Sequence, residues 1–190
     1  MALKNYKSIE ADISNIDEYF RYIKTLAEIE STNPIDPIFT ILPTDEETFD
    51  INANTREIKI PDNFKKYGVG VKGDEVAEII YFSIDRYFDA MDLANMDILV
   101  QWKYDAKEAN IVDTFLSATY KKSLTLKPGK IVFGWPITSE ITAYEGNIQF
   151  SVRFYKREGD SLIYNFGTLP AVIKIQNSLN ILLNSSVLDA

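Results

Sequence analysis

The segment Asp85-Arg86-Tyr87-Phe88-Asp89 crowds more chemically able side chains together than any other stretch of the chain. Two carboxylates four positions apart, with an arginine between them, could serve as the acid pair of a glycosidase or hold a divalent ion. Glu140 is a third acid on which an acid-based hydrolase would draw. The remaining toolkit is thin, because the sequence has no histidine and no cysteine. That removes the commonest general base and every His-containing triad. It also removes thiolate nucleophiles, disulfides and zinc–thiolate sites.

The layout of the acids argues against catalysis. Asp85 and Asp89 lie in one short segment, with no second cluster at a matching position and no glycine-rich ion loop. The simpler reading makes Asp85, Arg86, Tyr87 and Asp89 a structural corner. Arg86 pairs with Asp85 or Asp89, satisfying its donor fork, while Tyr87 and Phe88 anchor the corner in the core. No catalytic, cofactor-binding or metal-binding residue is therefore assigned, and no cofactor is expected. Asp45-Glu46-Glu47 reads as a solvated turn. Gly68 to Asp74 lacks the order of a phosphate loop and reads as a glycine-rich turn. Trp102 and Trp135 sit on or at the end of strand patterns, as core and rim packing; a sugar platform is the alternative.

The elements that must position these residues fall into two kinds. Residues 8–30 carry the one long helical pattern. Ile9, Ile13, Ile16, Phe20, Ile23 and Ala27 follow the 4-3-4-3-4 spacing of a heptad seam, behind a Ser8 N-cap and ahead of a Thr32-Asn33-Pro34 stop. The plainer expectation is an amphipathic helix lying on its own domain. The sharper one is a docking or self-associating helix, with isoleucine at both seam positions favouring three strands or more. From residue 35 the pattern changes to short β segments at 38–42, 48–51, 56–60, 77–84, 96–104, 111–120, 130–135, 147–156, 162–166 and 170–175. In 147–155, Ile148, Phe150, Val152 and Phe154 share one face and Gln149, Ser151 and Arg153 the other. Turn residues separate the segments, as at Pro61-Asp62-Asn63 and Lys127-Pro128-Gly129. The pattern predicts a mainly β fold: an antiparallel β-sandwich, immunoglobulin-like or jelly-roll-like, preceded by an N-terminal α-helix. The expected divisions are 1–33 for the helix, 34–50 for a linker and first strand, 51–176 for the sandwich and 177–190 for a tail.

Composition sets the outer bounds. At 190 residues, 46% hydrophobic and 13% aromatic, the chain can bury a proper core. The formal charge of −8 is uneven: residues 1–50 hold 4 basic and 11 acidic groups, the other 140 hold 16 and 17. With no basic face, direct nucleic-acid binding is not expected. No apolar run approaches 18 residues, so no membrane partner is expected, and the opening MALKNYKSIEADIS reads as cytosolic-type sequence and not as a signal peptide.

Four blocks carry a family resemblance: NTREIKIPDNF (54–64), VGVKGDEVAEIIYFSIDRYFDAMDL (69–93), IVFGWPITSEITAYEGNIQFSVRFY (131–155) and TLPAVIKI (168–175). Together they resemble a β-sandwich domain of tailed-bacteriophage structural proteins of the head-fibre, capsid-associated or upper-baseplate type. Where such domains usually read Phe-Asp-Gly, this chain has Ala90. The resemblance implies a virion part, made in the host cytoplasm and seated on the capsid surface in preference to the tail. Its partners would be further copies of itself, as a homotrimer, and the major capsid protein or other virion proteins. The alternatives are a baseplate or tail component, or a carbohydrate-binding host-contact module.

Overall fold

A computed structural model of the chain describes residues 16–31, 43–105, 114–120 and 122–177. The chain is mainly β. After helix α1 (Ile16–Ser31) come strands β1 (Thr48–Ile51) and β2 (Ile58–Lys59), helix α2 (Asp62–Tyr67), and strands β3 (Gly70–Val71), β4 (Ile79–Asp85), β5 (Tyr87–Phe88) and β6 (Met91–Asp92). Then follow β7 (Asp97–Tyr104), β8 (Phe115–Ala118), β9 (Lys130–Pro136), β10 (Gly146–Glu158), β11 (Ser161–Gly167) and β12 (Ala171–Gln176). One sheet has the order β2-β1-β4-β9, the other β3-β12-β10-β7-β8 with β11 also on β10, and β5-β6 is a separate hairpin.

The sheets are mixed, which corrects the expectation of purely antiparallel pairing. β1 runs parallel to β4, and β3 parallel to β12. Parallel neighbours need a crossover, and the chain between β1 and β4 supplies one by way of β2, α2 and β3. The expected division at residue 51 cuts through β1, which sits between β2 and β4 inside its sheet. Pro61-Asp62-Asn63, expected as a turn, instead opens helix α2, with Pro61 as its N-cap residue. Its end is set by Gly68 at φ 74, where a Cβ would run into the carbonyl oxygen of Lys174 on β12. The expected strand at 38–42 lies outside the described residues.

Alternation in β10 organises the interior. Ile148, Phe150, Val152 and Phe154 are buried and meet the inward residues of the other sheet in one core. Phe150 lies 5.2 Å from the Trp135 ring and 6.0 Å from that of Phe82, and Phe154 lies 5.8 Å from Phe133. Edge-to-face and tilted contacts of this kind add to the burial of large rings. β10 is long enough to hold three neighbours. β7 runs along one side, while β12 takes Gly146–Phe150 and β11 takes Arg153–Glu158 on the other. The two sheets are also joined by the chain after β8. There Thr119 donates to the Ile98 carbonyl at 3.0 Å, and Tyr120 and Ser123 then donate to Gly134 and Val132 of β9 at 2.7 Å each.

Helix α1 covers one end of the outer face of the β10 sheet. Ile23 and Leu26 are buried there with Leu99, Tyr155 and Leu162, and Tyr22 and Leu116 pack at the margin. This explains why Tyr155, on the outward side of β10, is 1% exposed.

Candidate functional site

The corner forms where β4 ends, but with a different partner from the one the sequence suggests. Arg86 donates from Nε to Asp92 Oδ1 and from Nη2 to Asp92 Oδ2, both at 3.0 Å. Asp85 pairs instead with Lys130 on β9, at 3.3 Å. The cause is the β5–β6 hairpin, whose register sets Tyr87 opposite Asp92 and leaves Asp89 and Ala90 as its two-residue turn. Asp92 is thereby brought beside Arg86, and Asp89 goes to the tip. Both turn residues have positive φ, 50 and 64, as a type I′ hairpin turn demands. Tyr87 does not anchor the corner in the core. It is 64% exposed, with the Arg86 guanidinium 5.1 Å from its ring centroid. Phe88 packs inward, its ring 5.1 Å from Phe166. The Arg86 hydrogen bonds hold the Asp92 carboxyl below the usual carboxylate range, and Asp92 in turn raises the guanidinium.

The proposed acids do not converge. Asp85 faces Lys130 at one end of the β4–β9 ladder, and Ile79 faces Pro136 at the other. Glu140 follows beyond that second end, exposed, its backbone carbonyl accepting from the Tyr104 hydroxyl. Burial pushes the Tyr104 phenol up to about 12. Trp102 is 2% exposed and donates to Ser117 Oγ at 2.8 Å, and Trp135 is fully buried, at the centre and not the rim. Neither ring offers a face to a sugar. The Asp45–Glu47 turn closes with a capping box between Thr44 and Glu47, and Asp45 pairs with Lys127 at 2.8 Å.

The heptad stripe is split by docking. Ile23 is buried on the chain's own sheet, whereas Phe20 is 56% exposed and Ala27 is exposed. Leu26, outside the seam, shares the docked face with Ile23. For those positions the plainer expectation describes the helix, because Ile23 and Leu26 at i and i+3 lie on one face and Phe20 and Ala27 on another. Ile9 and Ile13 lie outside the described residues, as does the side chain of Ile16.

Sequence reasoning missed a cleft on the outer side of the β1–β4 sheet. It has a volume of about 550 Å³ and is walled by Glu47, Phe64, Glu78, Tyr81 and Tyr120, with Glu46 and Asn63 at its junction with a second cleft of about 420 Å³. The second cleft is lined by Asp45, Asp50, Lys59 and Asp62 among others. Glu78 is half-buried, and its carboxyl is pushed up first by that burial and then by the charge of Glu47. The one local signal was the alternation in β4, which sends Ile79 and Tyr81 to the face opposite Ile80 and Phe82.

Among the described residues no group of three or more His, Cys, Asp or Glu is placed to hold a metal ion, and no helix is long and apolar enough to cross a membrane. No protein-family model matches the chain, and no curated protein matches its sequence.

Proposed function

We propose that the chain is a structural virion protein of a tailed bacteriophage, a capsid-attached decoration or head-fibre protein. It acts by self-association and by docking to the shell, not by turning over a substrate. In this reading the two sheets form a β-sandwich, with α1 as the association element at one end. Its partners are further copies of itself, as a homotrimer, and the major capsid protein.

The observation that carries the reading is the solvent face of α1. Phe20 is 56% exposed and Ala27, one heptad further on, is exposed beside it. A large aromatic more than half exposed on a helix whose other face is docked suits packing against a second helix or a shell. With Ile23 turned inward, the contact uses Phe20 and Ala27 and not all six seam positions. The separation of Asp85, Asp89 and Glu140 supports the same reading, since a two-carboxylate mechanism needs its acids close together.

Two measurements test it. Sedimentation of the full chain should give an oligomer that Phe20→Asp converts to monomer. Immunogold labelling of particles should mark heads. Label on tail tips would move the protein to the baseplate. A monomer at high concentration, together with unlabelled particles, would sink the proposal.

A further inference from the structure

The 550 Å³ cleft has a chemical bias that the corner and the helix do not explain. Several acids on this part of the surface are matched: Asp45 with Lys127, Asp85 with Lys130, Asp92 with Arg86, and Asp50 with the Ser83 hydroxyl at 2.6 Å. Glu46 and Asp62 have no partner among the described residues but are exposed, whereas Glu78 is neither paired nor exposed. Its carboxylate has neither a hydrogen-bond donor nor a cation among the described residues, although it is half-buried, and its charged neighbour is another acid, Glu47. An ionised carboxylate taken partly out of water without a partner is costly to the fold. Around it stand three rings, Phe64, Tyr81 and Tyr120.

From this geometry we infer that the cleft receives the cationic side chain, lysine or arginine, of a basic segment on a partner protein. The ammonium or guanidinium meets Glu78 and Glu47, and the ring faces contact its charge and its methylene stem. An anionic or purely apolar occupant would leave Glu78 uncompensated. The cleft lies within the ~300–1,000 Å³ range usual for ligand sites. The choice of a peptide over a free amine rests on the adjoining cleft. It shares Glu46 and Asn63 and continues past Asp45, Asp50 and Asp62, with Lys59 as the one cation among the described lining residues, so residues flanking the bound side chain have a mainly acidic track to follow. The net charge of −8 favours approach of such a segment. The inference does not depend on the chain being a virion part.

The test titrates the full chain with a capped pentapeptide carrying one central lysine, followed by calorimetry and by the carboxyl resonance of Glu78. Controls are the same peptide with norleucine at that position, and n-butylammonium alone. The lysine peptide should bind and shift the Glu78 resonance, and norleucine should weaken binding at least tenfold. Glu78→Gln should weaken it to a similar extent, while Glu158→Gln, an exposed charge at the end of β10, should change it less than twofold. Gln removes a charge the fold holds at a disadvantage, so the variant should melt no lower than the parent. Absence of binding at millimolar peptide, equal binding of the norleucine peptide, or an equal loss in Glu158→Gln would overturn the site. n-Butylammonium binding as tightly as the peptide would overturn the assignment to a protein segment.

Discussion

Arg86 and Asp92 meet as a two-point fork, with Nε and Nη2 each 3.0 Å from a carboxylate oxygen, and Asp92 Oδ1 also accepts the Ala94 N–H at 3.0 Å. The fork closes the hairpin at its open end and carries a pH signature. The Arg86 hydrogen bonds lower the folded-state pKa of Asp92. Its stabilising contribution is therefore complete above the unfolded aspartate value of about 3.9 and is lost as the pH falls through the lower folded value. Asp92→Asn keeps an oxygen for the Ala94 N–H but loses the charge. Thermal melts should show the variant below the parent at pH 6 and the two converging below about pH 4. Parallel curves across that range would contradict the fork.

Ala90 occupies the second left-handed position of the β5–β6 turn, at φ 64. A left-handed backbone costs an L-residue about 1–2 kcal/mol. The extra freedom glycine has when unfolded takes back about 0.5–1 kcal/mol. Ala90→Gly should therefore stabilise the protein, by up to about 1.5 kcal/mol, seen as a higher denaturation midpoint at unchanged slope. Ala90→Val, branched at Cβ, should shift the midpoint the other way. A Gly variant no more stable than the parent would show that the turn relaxes to another geometry.

The same turn marks a limit of what the sequence discloses. Strand positions were legible wherever one face is buried, as in Ile148, Phe150, Val152 and Phe154, because a period of two needs no tertiary knowledge. Tyr155 breaks that rule only because Ile23 and Leu26 cover it from a helix more than a hundred positions away. The parallel pairing of β1 with β4 depends on the route of the intervening chain, which side-chain alternation does not encode. α2 is one and a half turns long, too short for a helical period to show behind its Pro61-Asp62-Asn63 start. For the corner, the residue types were legible but the partner was not: without a glycine, Asp89-Ala90 does not advertise the two-residue turn that selects Asp92. The cleft was hidden because Glu47, Phe64, Glu78 and Tyr120 come from four separate segments.

Glu78 should titrate against the usual carboxylate pattern. It faces Glu46 and Glu47 from the turn before β1 and lies near the phenols of Tyr81 and Tyr120, with no lysine or arginine among the described residues that line its cleft. Burial first, then Glu47, raises its folded pKa above the glutamate reference. The folded state thus holds the proton more tightly than the unfolded chain. Its contribution is most favourable below the unfolded value of about 4.3 and declines as the pH rises through the folded value. Glu78→Gln should melt higher than the parent at pH 7, with the difference closing at pH 4. A variant that melts lower at pH 7 would mean the carboxylate has a stabilising partner in the free protein.

The docked face of α1 predicts a local loss and not a global one. Leu26 is fully buried among Leu99, Tyr155 and Leu162, a cluster separate from the core that joins the sheets. Truncating a buried leucine costs about 2–5 kcal/mol where the surroundings cannot collapse. Here the helix can lift off, so the cost should appear as opening of α1 alone. In Leu26→Ala, amide exchange across 20–29 should accelerate at least tenfold while the amides of β10 keep their protection. Phe20→Ala, on the exposed face, should leave the helix within about 0.5 kcal/mol of the parent in the free monomer. If Leu26→Ala instead lowers protection in β10 to the same extent, the helix belongs to the same folding unit as the sheets. Solvent-face association would then act on a rigid element and not on a detachable one.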